Sequence, residues 1–277
     1  MAYQRVIAIH DLCGLGHSSL AAALPIISAM GHQVIPLPTS VLSSQTDGFD
    51  DFTSLDLTDN MQAILACWQG LKLKVDGVYS GYLGSAEQSH LVAQVARDFV
   101  KTKHVVVVDP VLGDNGELYP TMDKTMVKAM QDLIRVSDVV TPNMTELAAL
   151  CEVPYESLAD SDQRQACVKA LSAMGPRYVA LTSVPDQGAN TLSSLAYDRE
   201  RNAFADFKAT HLPAHYPGTG DMFSSVLTGH LLAGDGFFLA CEKASVFVFR
   251  ALQHAMAIQA EPREGIPFEP LLKDLFR

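Results

Sequence analysis

The feature that most constrains this chain is an alternation. Short runs rich in Val and Ile take turns with longer segments of helical periodicity from one end to the other. Strands are predicted over 5–10, 33–37, 75–80, 104–109, 138–141 and 177–182. Helices are predicted over 18–30, 58–71, from Ser85 to about Lys101, over 121–135, from Asn143, over 164–174, and over about 221–232 and 237–259. Val105 to Val108 run without a polar break, which suits a strand buried on both faces. The segments 191–197 and 203–207, joined by the polar 198–202, read as a small β-hairpin on one flank. Strands alternating with helices imply an α/β fold with a mostly parallel central sheet and helices on both faces. Such sheets bind ligands beyond the carboxyl ends of their strands. Functional residues are therefore expected in the loops after His10, Leu37, Ser80, Asp109, Thr141 and Thr182.

Composition narrows the classes. The chain has 277 residues, 48% hydrophobic and 18% charged, enough apolar material for one sizeable core, and a single domain over 1–277 is expected. The net charge of −11 and the absence of a Lys/Arg cluster exclude a nucleic-acid face; the densest basic stretch is Lys72, Lys74 and then Lys101, Lys103. An acidic chain still accommodates ATP if a metal ion and backbone N–H groups take up the phosphate charge. Five cysteines without C-x-x-C spacing point to reduced thiols and a cytoplasmic setting. Neither a secretory leader nor a membrane span is expected.

Pro217-Gly-Thr-Gly-Asp-Met-Phe223 is the strongest local motif. Two glycines bracket Thr219 just ahead of a helical pattern, and free N–H groups at a helix start make an anion site. Asp221 falls in the first turn, where the helix dipole favours the carboxylate. A fixed carboxylate beside an anion hole suits acceptance of a hydroxyl proton during phosphoryl transfer. The alternative is a Gly-rich loop with Asp as an ordinary helix-start residue.

Asp109-Pro-Val-Leu-Gly-Asp114 ends an apolar strand, and its two acids suit Mg²⁺ or its waters; alternatively Asp114 opens a turn through Asn115-Gly116. Thr141-Pro-Asn-Met-Thr-Glu146 pairs Asn143 with Glu146 in a capping box, which leaves open a second role near phosphates and magnesium. Ser85-Ala-Glu-Gln88 is another capping-box candidate. Gly14-Leu-Gly-His-Ser-Ser19 nearly matches the dinucleotide fingerprint, but Ser19 stands in the place of the third glycine and no acid follows the second strand, so a nicotinamide cofactor is discounted. No Walker loop and no nucleophile elbow occur. His211-Leu-Pro-Ala-His215 has metal-like spacing, but Pro213 interrupts any regular helix.

In this order the motifs resemble the ribokinase superfamily. Ser80-Gly-Tyr-Leu-Gly84, Asp109–Asp114, Thr141-Pro-Asn143 with Glu146, Gly175-Pro176 and Ala240-Cys-Glu-Lys243, together with Gly218-Thr-Gly-Asp221, look like pyridoxal kinases over about 6–252. The resemblance implies a ribokinase-like fold, ATP and Mg²⁺ as cofactors with room for a monovalent cation such as K⁺, phosphorylation of the 5′-hydroxymethyl group of a vitamin B6 vitamer, and a homodimer. By position it makes Asp221 the base and Gly218, Thr219 and Gly220 the anion hole. It sets Asp114, Tyr119, Thr141 and Glu146 around magnesium and the ATP phosphates, with Asp114 and Glu146 as the metal's carboxylates. It sets Asp109, Asn143, Thr182 and Ser183 on the nucleotide side, and Thr46 and Tyr82 against the substrate ring.

Two departures fall on the substrate side. Asp11 stands where the family usually carries Ser, and Leu42-Ser-Ser-Gln45 lacks an aromatic that many members place against the ring. A carboxylate at Asp11 needs a cation or several donors. Its candidate partners in the chain are His10 and His17; otherwise a substrate cation meets it, or it caps the Gly14–Gly16 turn. Related hydroxymethylpyrimidine kinases usually carry Cys where Asp221 stands. Such a kinase, another small-alcohol kinase of the same fold, and a non-catalytic binding protein are the competing expectations.

Overall fold

The computed structural model describes residues 4–185, 191–210, 212 and 215–276, the side chains of 102–104 apart. In chain order its elements are β1 (Arg5–Cys13), α1 (Ser19–Ala29), β2 (Gln33–Leu42), β3 (Ser54–Asp56), α2 (Thr58–Gly70), β4 (Val75–Ser80), α3 (Ala86–Asp98), β5 (Val100–Val108), a short ribbon of β6 (Gly113–Asp114) and β7 (Glu117–Leu118), α4 (Lys124–Ile134), β8 (Val139–Val140), α5 (Met144–Cys151), α6 (Ser161–Met174), β9 (Tyr178–Pro185), β10 (Thr191–Asp198), β11 (Ala203–Thr210), α7 (Thr219–Leu232) and α8 (Phe237–Ala257).

The main sheet has the order β11-β10-β9-β8-β5-β4-β1-β2-β3. Pairing is parallel from β9 through β8, β5, β4 and β1 to β2. The expected hairpin, β10–β11, extends one edge antiparallel, and β3 closes the other edge in the same sense.

Strand residues point alternately to the two faces, and both faces are covered. Ile7, Ile9, Val78, Val106, Val108, Val140, Val179 and Leu181 enter one core with side chains of α2 to α6. Val6, Tyr79, Val107, Val139 and Ala180 enter the other, against α1, α7 and α8. Burial on both faces is why the inner strands read as unbroken apolar runs rather than alternating ones.

Three expectations need correction. β1 and β2 run past His10 and Leu37, because their pairing slips between His10 and Leu12 and then resumes as Leu12↔Val41 and Cys13↔Leu42. β2 contains Pro36 and Pro38. They are tolerated because β3 pairs only with Ser40 to Leu42, so the prolines lie where β2 is still an edge strand. The third helix stops at Asp98 instead of reaching Lys101. Phe99 is buried in the core and Val100 already pairs with Val75, so tertiary contacts override the local helical period.

The topology opens one crevice. β1 and β4 are neighbours, yet β1 leads into α1 on one face and β4 leads into α3 on the other. Chains leaving adjacent parallel strands toward opposite faces splay apart at the carboxyl ends and leave room for a ligand.

Core packing far from that crevice should be separable from chemistry. Leu171, fully buried on α6, packs in the core beneath α5 and β9. Leu171→Ala is expected to cost about 2–5 kcal/mol of unfolding free energy, read from the urea midpoint at unchanged slope.

Candidate active site

α7 begins at the mouth of the crevice. Gly218 precedes it with φ +87, and a Cβ there would lie 2.3 Å from the His17 carbonyl oxygen, so both conformation and space require glycine. Thr219, Gly220 and Asp221 form the first turn. Asp221 makes no capping bond within its own helix; its carboxylate reaches outward. The Ser19 amide, at the start of α1, donates to Asp221 Oδ2 at 2.7 Å. Ser19 adopts φ +57, an uncommon conformation for a residue with a side chain, and it is this conformation that opens α1 beside Asp221. The starts of two helices thus meet at one carboxylate.

The other oxygen of Asp221 meets His10. His10 Nε2 lies 2.9 Å from Asp221 Oδ1, and Nδ1 lies 2.7 Å from Asp11 Oδ1. Burial opposes charge on this imidazole most strongly. The charge of Asp221 and hydrogen bonds to both carboxylates outweigh it and lift the His10 pKa to about 10. With the ring charged, both nitrogens donate to the carboxylates, while the Asp11 and Tyr82 amides also approach Nδ1, at 3.0 Å and 3.2 Å. The Asp11 carboxyl is held below its ordinary range: burial works against this, and the hydrogen bond and charge of His10 prevail. The Cys13 thiol donates to Asp11 Oδ2 at 3.1 Å.

Asp11 thus finds its cation inside the chain, on the neighbouring residue. His17, the other candidate partner, turns away: its Nδ1 lies 2.8 Å from the Glu264 carbonyl oxygen and its Nε2 3.0 Å from Glu269 Oε1. Among the described contacts, Asp11 does not cap the Gly14–Gly16 turn. That turn packs on the following loop, where the Gly14 amide donates to the Leu42 carbonyl oxygen at 2.8 Å.

A second acidic group lines the crevice beyond β5 and β8. Asp109 is buried, and its Oδ2 accepts from the Ser224 hydroxyl at 3.0 Å. The Thr141 hydroxyl lies 2.8 Å from the same Ser224 oxygen, so β5, β8 and α7 are joined side by side. Burial first, and the charge of Asp221 second, push the Asp109 pKa up to about 7. Glu146 is buried and held well above the ordinary carboxylate range by burial and then by Asp109.

The capping box expected from the sequence is complete. Asn143 Oδ1 accepts from the Glu146 amide at 2.9 Å, and Glu146 Oε2 accepts from the Asn143 amide at 2.8 Å. Glu146 Oε1 also accepts from the Leu112 amide at 3.2 Å, and Asn143 Nδ2 donates to the Gly113 carbonyl oxygen at 2.8 Å. Asp114 sits at the tip of the β6–β7 ribbon, where Asn115 (φ +52) and Gly116 (φ +86) form the tight two-residue turn such a ribbon favours. Its Oδ1 accepts from the Asn115 amide at 2.8 Å. Tyr119 follows, exposed, on the strand-return side of the ribbon. Thr182 donates its amide to the Pro142 carbonyl oxygen at 2.9 Å, which sets it beside Asn143; Ser183, at φ +55, is exposed next to it.

On the substrate side, Tyr82 is half-buried after β4, its hydroxyl 3.5 Å from that of Thr121. Thr46 is exposed on the loop after β2. His215 pairs with Asp47 at 2.9 Å, while His211 lies outside the described residues. Among the described residues no group of three or more His, Cys, Asp or Glu is arranged to hold a metal. The sequence did not mark Ser19, Ser224 or Gly81 for the site. Nothing in the sequence set Ser224 apart, since Ser225, Thr228 and His230 share its helical run.

A family profile described as phosphomethylpyrimidine kinase matches residues 16–264. The chain belongs to this family. A pyridoxine/pyridoxal/pyridoxamine kinase of Bordetella avium is 31% identical over 268 residues, 89% of this chain and 84% of the relative. A crystal structure of a Bacteroides thetaiotaomicron protein described as a phosphomethylpyrimidine kinase, in a form with pyridoxal, superposes with a TM-score of 0.94 at 42% identity, covering 99% of this chain and 96% of that one. Pyridoxal kinase from Lactobacillus plantarum superposes at 0.90 with 30% identity over 99% and 97% of the two chains. These structures superpose over almost the whole chain, so the fold is ribokinase-like as the motifs implied.

The buried acids give the ligand-free protein a characteristic pH response. Asp109 holds its proton more tightly folded than unfolded, so it costs stability as pH rises from the ordinary carboxylate range to about 7. Asp109→Asn cannot ionise. Its melting temperature is expected to fall less than that of the wild type between about pH 4 and pH 8, as measured by scanning calorimetry without ligands.

Proposed function

We propose that the protein is a kinase that transfers the γ-phosphoryl group of ATP to the 5′-hydroxymethyl group of a vitamin B6 vitamer (pyridoxal, pyridoxamine or pyridoxine). One observation carries the chemistry: Asp221, spending no bond on its own helix, faces the crevice beside the free N–H groups at the start of α7. The resemblance to pyridoxal kinases, and the pyridoxal present with the Bacteroides protein, supply the substrate class.

Asp221 accepts the proton of the substrate hydroxyl, whose oxygen forms a bond to the γ-phosphorus. The bond from that phosphorus to the β,γ-bridging oxygen breaks, and ADP leaves with the electron pair. The N–H groups of 218–220, at the positive end of α7, face the transferring phosphoryl group. Asp109, Thr141, Asn143, Thr182, Ser183 and Tyr119 line the nucleotide side. Thr46 and Tyr82 flank the vitamer, and Asp11 acts on it through His10.

Mg²⁺ fits the residues present. It takes one or two carboxylates and fills the rest of its shell with phosphate oxygens and water, so a cluster of three protein ligands is not required. Burial, and then the charge of Asp109, raise the Glu146 pKa, with no Lys or Arg among the causes, and a cation beside it would offset both. Asp114 and Glu146 would hold the ion, directly or through water, where it would neutralise phosphate charge. We further propose a cytoplasmic homodimer.

The family profile's description, phosphomethylpyrimidine kinase, favours a second reading, a methylpyrimidine substrate such as hydroxymethylpyrimidine. ADP release measured against pyridoxal, pyridoxamine, pyridoxine, hydroxymethylpyrimidine and ribose separates the two; turnover confined to the pyrimidine overturns the vitamin B6 assignment.

Asp221→Asn keeps the shape and is a very poor proton acceptor. Its kcat is expected to fall by about 10²–10⁴-fold while ATP binding, followed by calorimetric titration, is retained. Retention of more than about half of kcat would remove Asp221 as the base, since that is far below the usual worth of a positioned base. Asp114→Ala and Glu146→Ala are expected to move the dependence of rate on free Mg²⁺ to higher concentration. An unchanged magnesium curve assigns both residues to turn and cap alone.

A further inference from the structure

The kinase reading uses Asp221 and leaves unexplained the imidazole behind it. We propose that His10 is the positioning residue for Asp221: a doubly donating imidazolium, anchored by Asp11, that fixes the direction in which Asp221 presents its remaining lone pairs to the substrate hydroxyl. The inference rests on the kinase reading only for the identity of the acceptor; the clamp itself is a matter of geometry.

His10 is 2% exposed and sits in line between two carboxylates, 2.7 Å from one and 2.9 Å from the other. A rigid ring with donors on both sides transmits the position of Asp11 to Asp221. The Ser19 amide holds the second Asp221 oxygen at 2.7 Å, so the carboxylate can neither rotate nor retreat. Space has been cleared for the ring: a Cβ on Gly81 would lie 1.9 Å from His10 Cδ2 and 2.0 Å from Nε2. Gly81 follows β4, so the strand across the crevice from β1 yields its side chain to His10.

The groups facing the imidazole account for its charge. Asp11 and the Cys13 thiol come from β1 itself, and Asp221 from α7. The Tyr79 ring lies 6.3 Å away on β4, and Asp109, just beyond β5, feels the charge of the imidazole. A neutral His10 would leave the Asp11 and Asp221 carboxylates on either side of an uncharged ring. The pKa of about 10 accords with an imidazolium throughout the neutral range.

Positioning predicts a loss in the chemical step rather than in nucleotide binding. His10→Gln retains one donor but neither the charge nor the second donor. Its kcat is expected to fall about 10–100-fold with the KM for ATP within about twofold. Asp11→Asn, which loosens the anchor, is expected to fall in the same parameter by a smaller factor, and Gly81→Ala, which displaces the ring, is expected to resemble His10→Gln.

A readout independent of turnover is the imidazole ¹⁵N resonance of His10, assigned by its loss in His10→Gln, or by its specific shift in Asp11→Asn should that first variant not fold. In the wild type it is expected to stay in the imidazolium position to about pH 8, and in Asp221→Asn to titrate at least about one unit lower. A neutral wild-type His10 at pH 7, or a folded His10→Gln enzyme with unchanged kcat, overturns the proposal. A wild type that phosphorylates no alcohol in the panel overturns the kinase reading instead, and the resonance still decides whether the clamp exists.

Discussion

Everything that distinguishes this molecule from a plain layered sheet depends on the parallel pairing of β1 with β4. Val6 to Ile9 sit opposite Gly77 to Ser80, and every residue of both paired stretches is buried. Because one strand continues to α1 and the other to α3, the pairing fixes the width and floor of the crevice. The position of His10 at the end of β1, and the absence of a side chain at Gly81 after β4, are two halves of one fit. β1 also carries the slip after His10, which lets Asp11 turn back toward the imidazole while Leu12 and Cys13 rejoin β2.

The electrostatic design is economical in cations. Asp11, Asp221 and Asp109 gather in a chain of net charge −11, and among the described residues the cation bonded to Asp11 and Asp221 is an imidazole. The remaining compensation is backbone: the Ser19 amide for Asp221, and the Asn143 and Leu112 amides for Glu146. Fixed N–H dipoles need no reorganisation when a phosphate arrives, unlike mobile lysine side chains. Such a site suits an anionic ligand that brings its own counter-ion.

Much of this was legible in the sequence wherever the information is local. The run from Val105 to Val108, the pairing of Asn143 with Glu146, and the turn at Asn115-Gly116 each follow from neighbours within a few residues, and each stands in the structure as read. What escaped depends on distant partners. β2 continues past two prolines because of where β3 happens to pair. The third helix ends early because Val100 is claimed by Val75. His10 stood next to Asp11 in the chain as a candidate partner, but its second carboxylate lies 211 residues away. Nothing in a period of two or of 3.6 encodes that distance. Ser19 was even read as the residue that spoils a glycine fingerprint, whereas its left-handed backbone aims an amide at Asp221.

The double employment of Glu146 bears on how relatives of this chain can be interpreted. Both of its oxygens are already engaged in starting α5 and in tying Leu112 to it. A descendant that had lost all activity would still be under selection to keep a glutamate there, simply to fold. Asp221 has no such second employer: its own helix does not use it, and its two bonds run to His10 and to the amide of Ser19. Along a lineage drifting away from catalysis, Asp221 and its imidazole should therefore disappear first, while Asn143 and Glu146 persist as architecture. Retention of the cap says that the fold survives; retention of the clamp says that the chemistry does.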